Sequence, residues 1–268
     1  MSVRVLNSRR YMWLVVLIVG ACLLILARQA CVITGNPHLW PAYLFVGAVL
    51  LPATVLALVD GLSVRFTVAP VHLIAIATVG GVLGVALAGL DEYGIQVAFG
   101  QLTKVAVAIV EETSKLIVPM VALLLVRRNA ANGLIIGMAA GGGFAVIETL
   151  GYAGAAFVQP GTTLSHIDGM LWERGVFAPA THIAWTGLAG CALGFAVQRR
   201  WSSIAVLAVA GAYATAVLLH ILWDSSSSGG YVLLSAVSVG AMCVVAYLLV
   251  VLPAGQDMDS AGRGPSPG

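Results

Sequence analysis

Long apolar runs separated by short polar ones set the layout of this chain. Eight stretches qualify as membrane helices: about 11–27, 40–59, 71–90, 102–126, 131–152, 178–198, 202–223 and 231–252. A helix needs about 20 mostly apolar residues to cross a bilayer. The pattern therefore predicts an all-α, polytopic membrane protein of about eight transmembrane helices. The first stretch follows Arg4, Arg9 and Arg10, as the core of a signal peptide would, but "ILARQA" offers no small-x-small cleavage site. It reads as a retained anchor. Residues 1–252 read as one polytopic domain, and 253–268, polar and rich in Gly and Pro, as a disordered tail. The longest connection, about 153–177, holds Trp172, Glu173 and Arg174 and reads as a loop, either a lid or a connector.

Composition agrees with the pattern. Hydrophobic residues make up 60% of the chain and charged residues 9%, against about 25% charged in a soluble domain. A formal net charge of +2 gives no reason to expect a nucleic-acid partner. The placement of arginine says more than its sum. With a cytoplasmic N-terminus, the inner segments carry Arg4, Arg9, Arg10, Arg65, Arg127, Arg128, Arg199, Arg200 and Arg263, and the outer ones only Arg28 and Arg174. Both termini are thus expected in the cytoplasm. The four cysteines form no CxxC pair and read as small hydrophobes. Glycines four apart, such as Gly80 and Gly84 or Gly137 and Gly141, suit close helix packing. The run Gly141-Gly142-Gly143 is denser and is expected to loosen the fifth helix.

The fourth stretch breaks the rule that made it visible. "VAIVEETSKLIVPMVALLLV" places Glu111, Glu112 and Lys115 in the middle of an apolar run. An ionised group at the centre of a membrane helix costs about 2.5–3.5 kcal/mol, so such groups face one another, water or a metal. Helical spacing puts Glu111 and Lys115 on one stripe with Glu112 beside it. Further ionisable groups stand on later helices: Glu148 four residues after Phe144, His182 with Trp185 one turn on, and His220 four residues before Asp224. At about 1.5 Å per residue, Glu111, Glu112, Glu148, His182 and His220 each lie about 22–28 Å above the inner end of their helix. Four helices running in alternating directions bring their titratable groups to one level, in the outer half of the bilayer. His38, His72 and His166 lie near boundaries and receive no role.

Glutamate, histidine and aspartate are ligand types for zinc, which in a catalytic site keeps one position for water. A spare carboxylate can then take the water's proton. The same groups also suit a metal-free mechanism, with a glutamate activating water and other side chains stabilising an oxyanion. A proton- or ion-coupled transporter is the alternative class, because Glu and His chains in membranes also relay protons. Transporters often show paired halves, and the polar cluster occurs only in spans four to seven.

Glu111-Glu112-x-x-Lys115, Phe144-x-x-x-Glu148, His182 and His220-x-x-x-Asp224, in that order, resemble the motifs of PrsW-type intramembrane metalloproteases. That family shares a clan with the CAAX-processing and bacteriocin-immunity membrane proteases. The CAAX-processing relatives typically carry a histidine where Glu148 stands and an arginine near Lys115, so the resemblance is to the PrsW side. It covers about residues 100–225. It implies a membrane-embedded peptidase acting on membrane-anchored proteins near the outer face, with anti-sigma factors in stress signalling as the associated substrates. By the same resemblance Glu111, Glu112 and Lys115 are the catalytic candidates, and His182, His220, Glu148 and Asp224 the candidate ligands of Zn2+. Phe144 and Trp185 are weaker candidates for touching substrate. An inactive relative that only binds a membrane partner is the third reading.

Overall fold

The structure is a computed structural model, described over residues 10–61, 66–126 and 128–251. Arg4, Arg9, Arg65, Arg127, Arg263 and the tail 253–268 lie outside the described residues. Among those described there is no strand. The helices are α1 (Met12–Thr34), α2 (Trp40–Gly61), α3 (Pro70–Phe99), α4 (Lys104–Leu125), α5 (Ala130–Phe157), α6 (Leu164–Trp172), α7 (Ala178–Gln198), α8 (Ser203–Asp224) and α9 (Ser228–Val251).

Seven rods are long and apolar enough to cross a membrane: α1, α2, α3, α5, the continuous α6–α7 rod, α8 and α9. The eighth rod, α4, has the length but carries Glu111, Glu112 and Lys115 at its centre. The chain is an all-α polytopic membrane protein.

Burial ranks the helices. α5 is the axis of the bundle, with 83% of its most apolar window buried, against 6% for α1. It packs against α7 on one side, α3 on another, and α2 and α4 between them. Glycine makes that position possible. A Cβ at Gly141 would run into the carbonyl oxygen of His182, and one at Gly143 into that of Ala77 on α3. The triple glycine therefore presses two neighbouring backbones onto α5. It does not loosen the helix, which continues unbroken through it. Close approach lets van der Waals contact replace the hydrophobic drive that lipid removes.

The connection 153–177, read from sequence as a loop, is mostly helical. α5 runs on to Phe157, α6 follows, and Glu173–Phe177 forms a π-helical turn that leads into α7. Its polar residues hide it from a hydropathy reading. Its apolar face is nonetheless buried, with Ile167 and Leu171 in one cluster with Cys31, Tyr43 and Leu44. Asp168 ties α6 to the first two helices: it accepts from Arg28 at 2.6 Å and from the Tyr43 hydroxyl at 2.5 Å.

Candidate active site

The first half of the site is built on α4 and α8. Thr103 caps α4, its hydroxyl accepting from the Ala106 amide at 3.2 Å. Three turns further on, Lys115 donates to Glu112 Oε1 at 2.7 Å and to Glu111 Oε2 at 3.1 Å. The amine also lies 4.2 Å from the centre of the Phe144 ring, a favourable place for a desolvated cation. His220 approaches from α8. Its Nδ1 is 2.9 Å from Glu112 Oε1, and its Nε2 is 3.7 Å from both Glu111 Oε2 and Asp224 Oδ1. A carboxylate beside an ammonium only accepts, so Nδ1 donates to Glu112.

The second half is built on α5 and α7. Glu148 Oε2 stands 3.1 Å from His182 Nε2, and Glu148 Oε1 stands 2.5 Å from Arg174. The contact with His182 meets the distance for an ion pair but not the angle for a hydrogen bond. Both ring nitrogens of His182 and Oε2 of Glu148 are therefore buried without a hydrogen-bond partner among the described residues. Thr186, one turn after His182, has an orphaned hydroxyl as well.

Aromatic rings join the halves. His182 and His220 meet edge to face with centroids 6.0 Å apart. Trp185 lies 5.9 Å from the first and 5.6 Å from the second. Its indole N–H donates to Ser238 on α9 at 2.8 Å. Phe144 packs 5.6 Å from His182. Both rings are buried, so they wall the site and present no open face.

The structure thus brings together Glu111, Glu112, Lys115, Glu148, His182 and His220. Asp224 stands at the edge, with its side chain 27% exposed. Two neighbours escaped the sequence reading. Arg174 comes from the π-helical turn, in the segment read as a loop. Glu92 lies on α3, just beyond the third apolar window, with Oε1 buried and without a hydrogen-bond partner among the described residues. Gly80 faces Ala140 and Gly84 faces Phe144. That register carries Glu92 one turn past Glu148. Its only signal in sequence was an acid at four-residue spacing from the small residues Gly84 and Ala88.

The donor set suits a metal in chemistry. Imidazole nitrogen and carboxylate oxygen are zinc ligands, and His182 and Glu148 offer buried atoms with no other partner. The spacing is that of an ion-pair network, however. Among the described residues no group of three His, Cys, Asp or Glu side chains is placed to hold a metal ion.

An all-helical membrane protein with acids and imidazoles buried together at one level has the make-up of an intramembrane hydrolase. The family model for "PrsW family intramembrane metalloprotease" matches residues 69–252, more than half of the chain. The chain belongs to that family and is a membrane-embedded peptidase, with membrane proteins as its substrates and the bilayer as its setting. Membership sets aside the transporter reading. No curated protein and no solved structure matches the chain. The family match begins at the start of α3, so α1 and α2 lie outside it.

Proposed function

We propose that the buried cluster of Glu111, Glu112, Lys115, Glu148, His182 and His220 is the catalytic centre of an endopeptidase. It cuts membrane-anchored proteins near the outer face, with both termini of the chain in the cytoplasm. Membrane-anchored anti-sigma factors are a fitting substrate class. The observation that carries this is the convergence of ionisable groups from four helices. Groups that cost several kcal/mol each in lipid gather here beside two imidazoles.

The two α4 glutamates take different parts. Glu112 is 3% exposed, and one of its oxygens is held by both Lys115 and His220. It is a positioning residue, fixing the tautomer and tilt of His220, as carboxylates commonly do for a ligating or basic imidazole. Glu111 is 11% exposed, leans on Lys115 through Oε2 alone, and keeps Oε1 for water. Glu111 is the general base. It removes the proton from the attacking water and passes it to the leaving amine. Lys115 keeps the pair of acids from repelling each other and holds Glu111 in place. A zinc ion held by His182, His220 Nε2 and Glu148, with Asp224 beside it, would polarise the scissile carbonyl.

The test is reconstitution of the full chain in proteoliposomes with a single-span reporter of each orientation, and mapping of the products by mass spectrometry. The expected cut lies in the outer half of the reporter's span or at its outer end. A cut at the cytoplasmic end contradicts the proposed orientation, and no cut contradicts the assignment.

A further inference from the structure

A cavity of about 560 Å³ lies against the outer side of the catalytic cluster, within the range of about 300–1,000 Å³ typical of ligand pockets. Its lining includes Tyr152, Gly169, Met170, Trp172, Arg174 and Trp223. Three of these touch the cluster through one step. Arg174 binds Glu148. Tyr152 stands one turn after Glu148, and Trp223 precedes Asp224. The guanidinium of Arg174 lies 3.7 Å from the centre of the Tyr152 ring. It is the partition between the cavity and Glu148.

We propose that this cavity binds an unwound stretch of substrate backbone, with Arg174 as its principal donor. The inference rests on the peptidase reading above and names the subsite that feeds it. A helical amide must lose its intrahelical hydrogen bonds before it can be cut. Backbone carbonyls so released need donors in a membrane-depth site. Arg174 carries a fork of five N–H groups. Nη2 is spent on Glu148, and Nε is buried without a partner. Aromatic walls at Tyr152, Trp172 and Trp223 receive the apolar side chains of the same stretch.

The construction of the wall fits the task. α6 is fixed by Asp168 to Arg28 and Tyr43, and Glu173 accepts from Ser228 at the start of α9 at 3.1 Å. At the second anchor, Glu173, the chain begins its π-helical turn, a rare form found often at functional sites. Arg174 sits on that turn. Substrate carbonyls that draw its fork away from Glu148 would free the carboxylate at the moment the peptide arrives.

Gly169 supplies the test. Gly169 lines the cavity, and a Cβ added there meets nothing within 4 Å, so a side chain can start from it without a backbone clash. Gly169→Phe in nanodiscs, assayed on a quenched-fluorophore single-span peptide, should raise KM at least tenfold. Its kcat should stay within threefold and its thermal midpoint unchanged. Arg174→Gln should also raise KM, and Arg174→Lys should restore part of the loss. A loss confined to kcat, or no loss in kcat/KM, overturns the proposal. A second readout needs no cleavage. The same peptide, carrying a photoreactive phenylalanine beside its scissile region, is crosslinked to the Glu111→Gln protein. Adducts on residues 165–174 are expected. Adducts confined to the second, more apolar cavity, which α7, α8 and α9 line around Leu188, Leu219 and Val245, overturn the assignment even if the chain cuts the peptide.

Discussion

The two halves of the site are built from the same residue types and differ in how completely they are satisfied. On the α4–α8 side, Lys115, Glu111, Glu112 and His220 form a hydrogen-bonded network with contacts of 2.7–3.1 Å. On the α5–α7 side the hydrogen bonds run out. Every buried side-chain polar atom left without one, among the described residues, belongs to Glu92, Glu148, Arg174, His182 or Thr186. Buried polar groups are paired as a rule, and those that are not mark a reactive or ligand-binding place. On the proposed reading the closed half holds Glu111 and His220 in fixed positions for the chemistry, and the open half offers unpaired atoms to ligand and substrate.

The comparison can be broken hardest at Lys115. Lys115→Met leaves two buried carboxylates without their cation, which should cost on the order of 3–5 kcal/mol. Loss of folded protein in a thermal or detergent-challenge assay is the expected outcome. Lys115→Arg should recover part of it if the charge is what matters.

Next come the two histidines, which should separate. His182→Ala removes a ring whose one polar contact is Glu148 at 3.1 Å, so it should abolish cleavage and lower bound zinc. Its effect on stability should be limited to that contact and the lost packing. His220→Ala should abolish cleavage too, and also lose about 1.5–3 kcal/mol more by removing its hydrogen bond to the Glu112 carboxylate, which Lys115 still holds. Elemental analysis beside thermal melts checks both. Equal destabilisation by the two variants would erase the distinction between the halves.

The smallest effect is expected at Asp224, which is part-exposed and 3.7 Å from His220. Asp224→Asn should reduce kcat/KM by about tenfold, the low end of what supporting carboxylates contribute to a metal or imidazole. A loss as deep as that of His182→Ala would move Asp224 into the centre of the site.

Much of this arrangement was legible in the sequence. All eight rods fall where apolar runs predict them, because the bilayer imposes length and composition directly. The common depth of Glu111, Glu148, His182 and His220 followed from the fixed rise of a helix. Orientation about each helix axis was less accessible. The spacing put both glutamates near Lys115, but the partner of His220 could be read only from the structure. Arg174 was missed for a different reason. It lies on α6 and its π-helical turn, whose polar residues imitate a loop in hydropathy while its apolar face is buried. Glu92 fell two residues outside an apolar window that ended before Asp91, whereas α3 continues to Phe99. Polar helix turns at the end of the bundle next to the site were thus the blind spot, and they supply the cavity.

The division of labour between the two α4 glutamates is the central claim, and single-turnover cleavage of a reconstituted single-span reporter tests it most directly. The account predicts that Glu111→Gln slows the chemical step by about 10²–10⁴-fold while the protein stays folded. In Glu112→Gln, part of the rate should survive, because the amide oxygen still accepts from His220 Nδ1. A Glu111→Gln protein that cuts within threefold of the unaltered chain would contradict it.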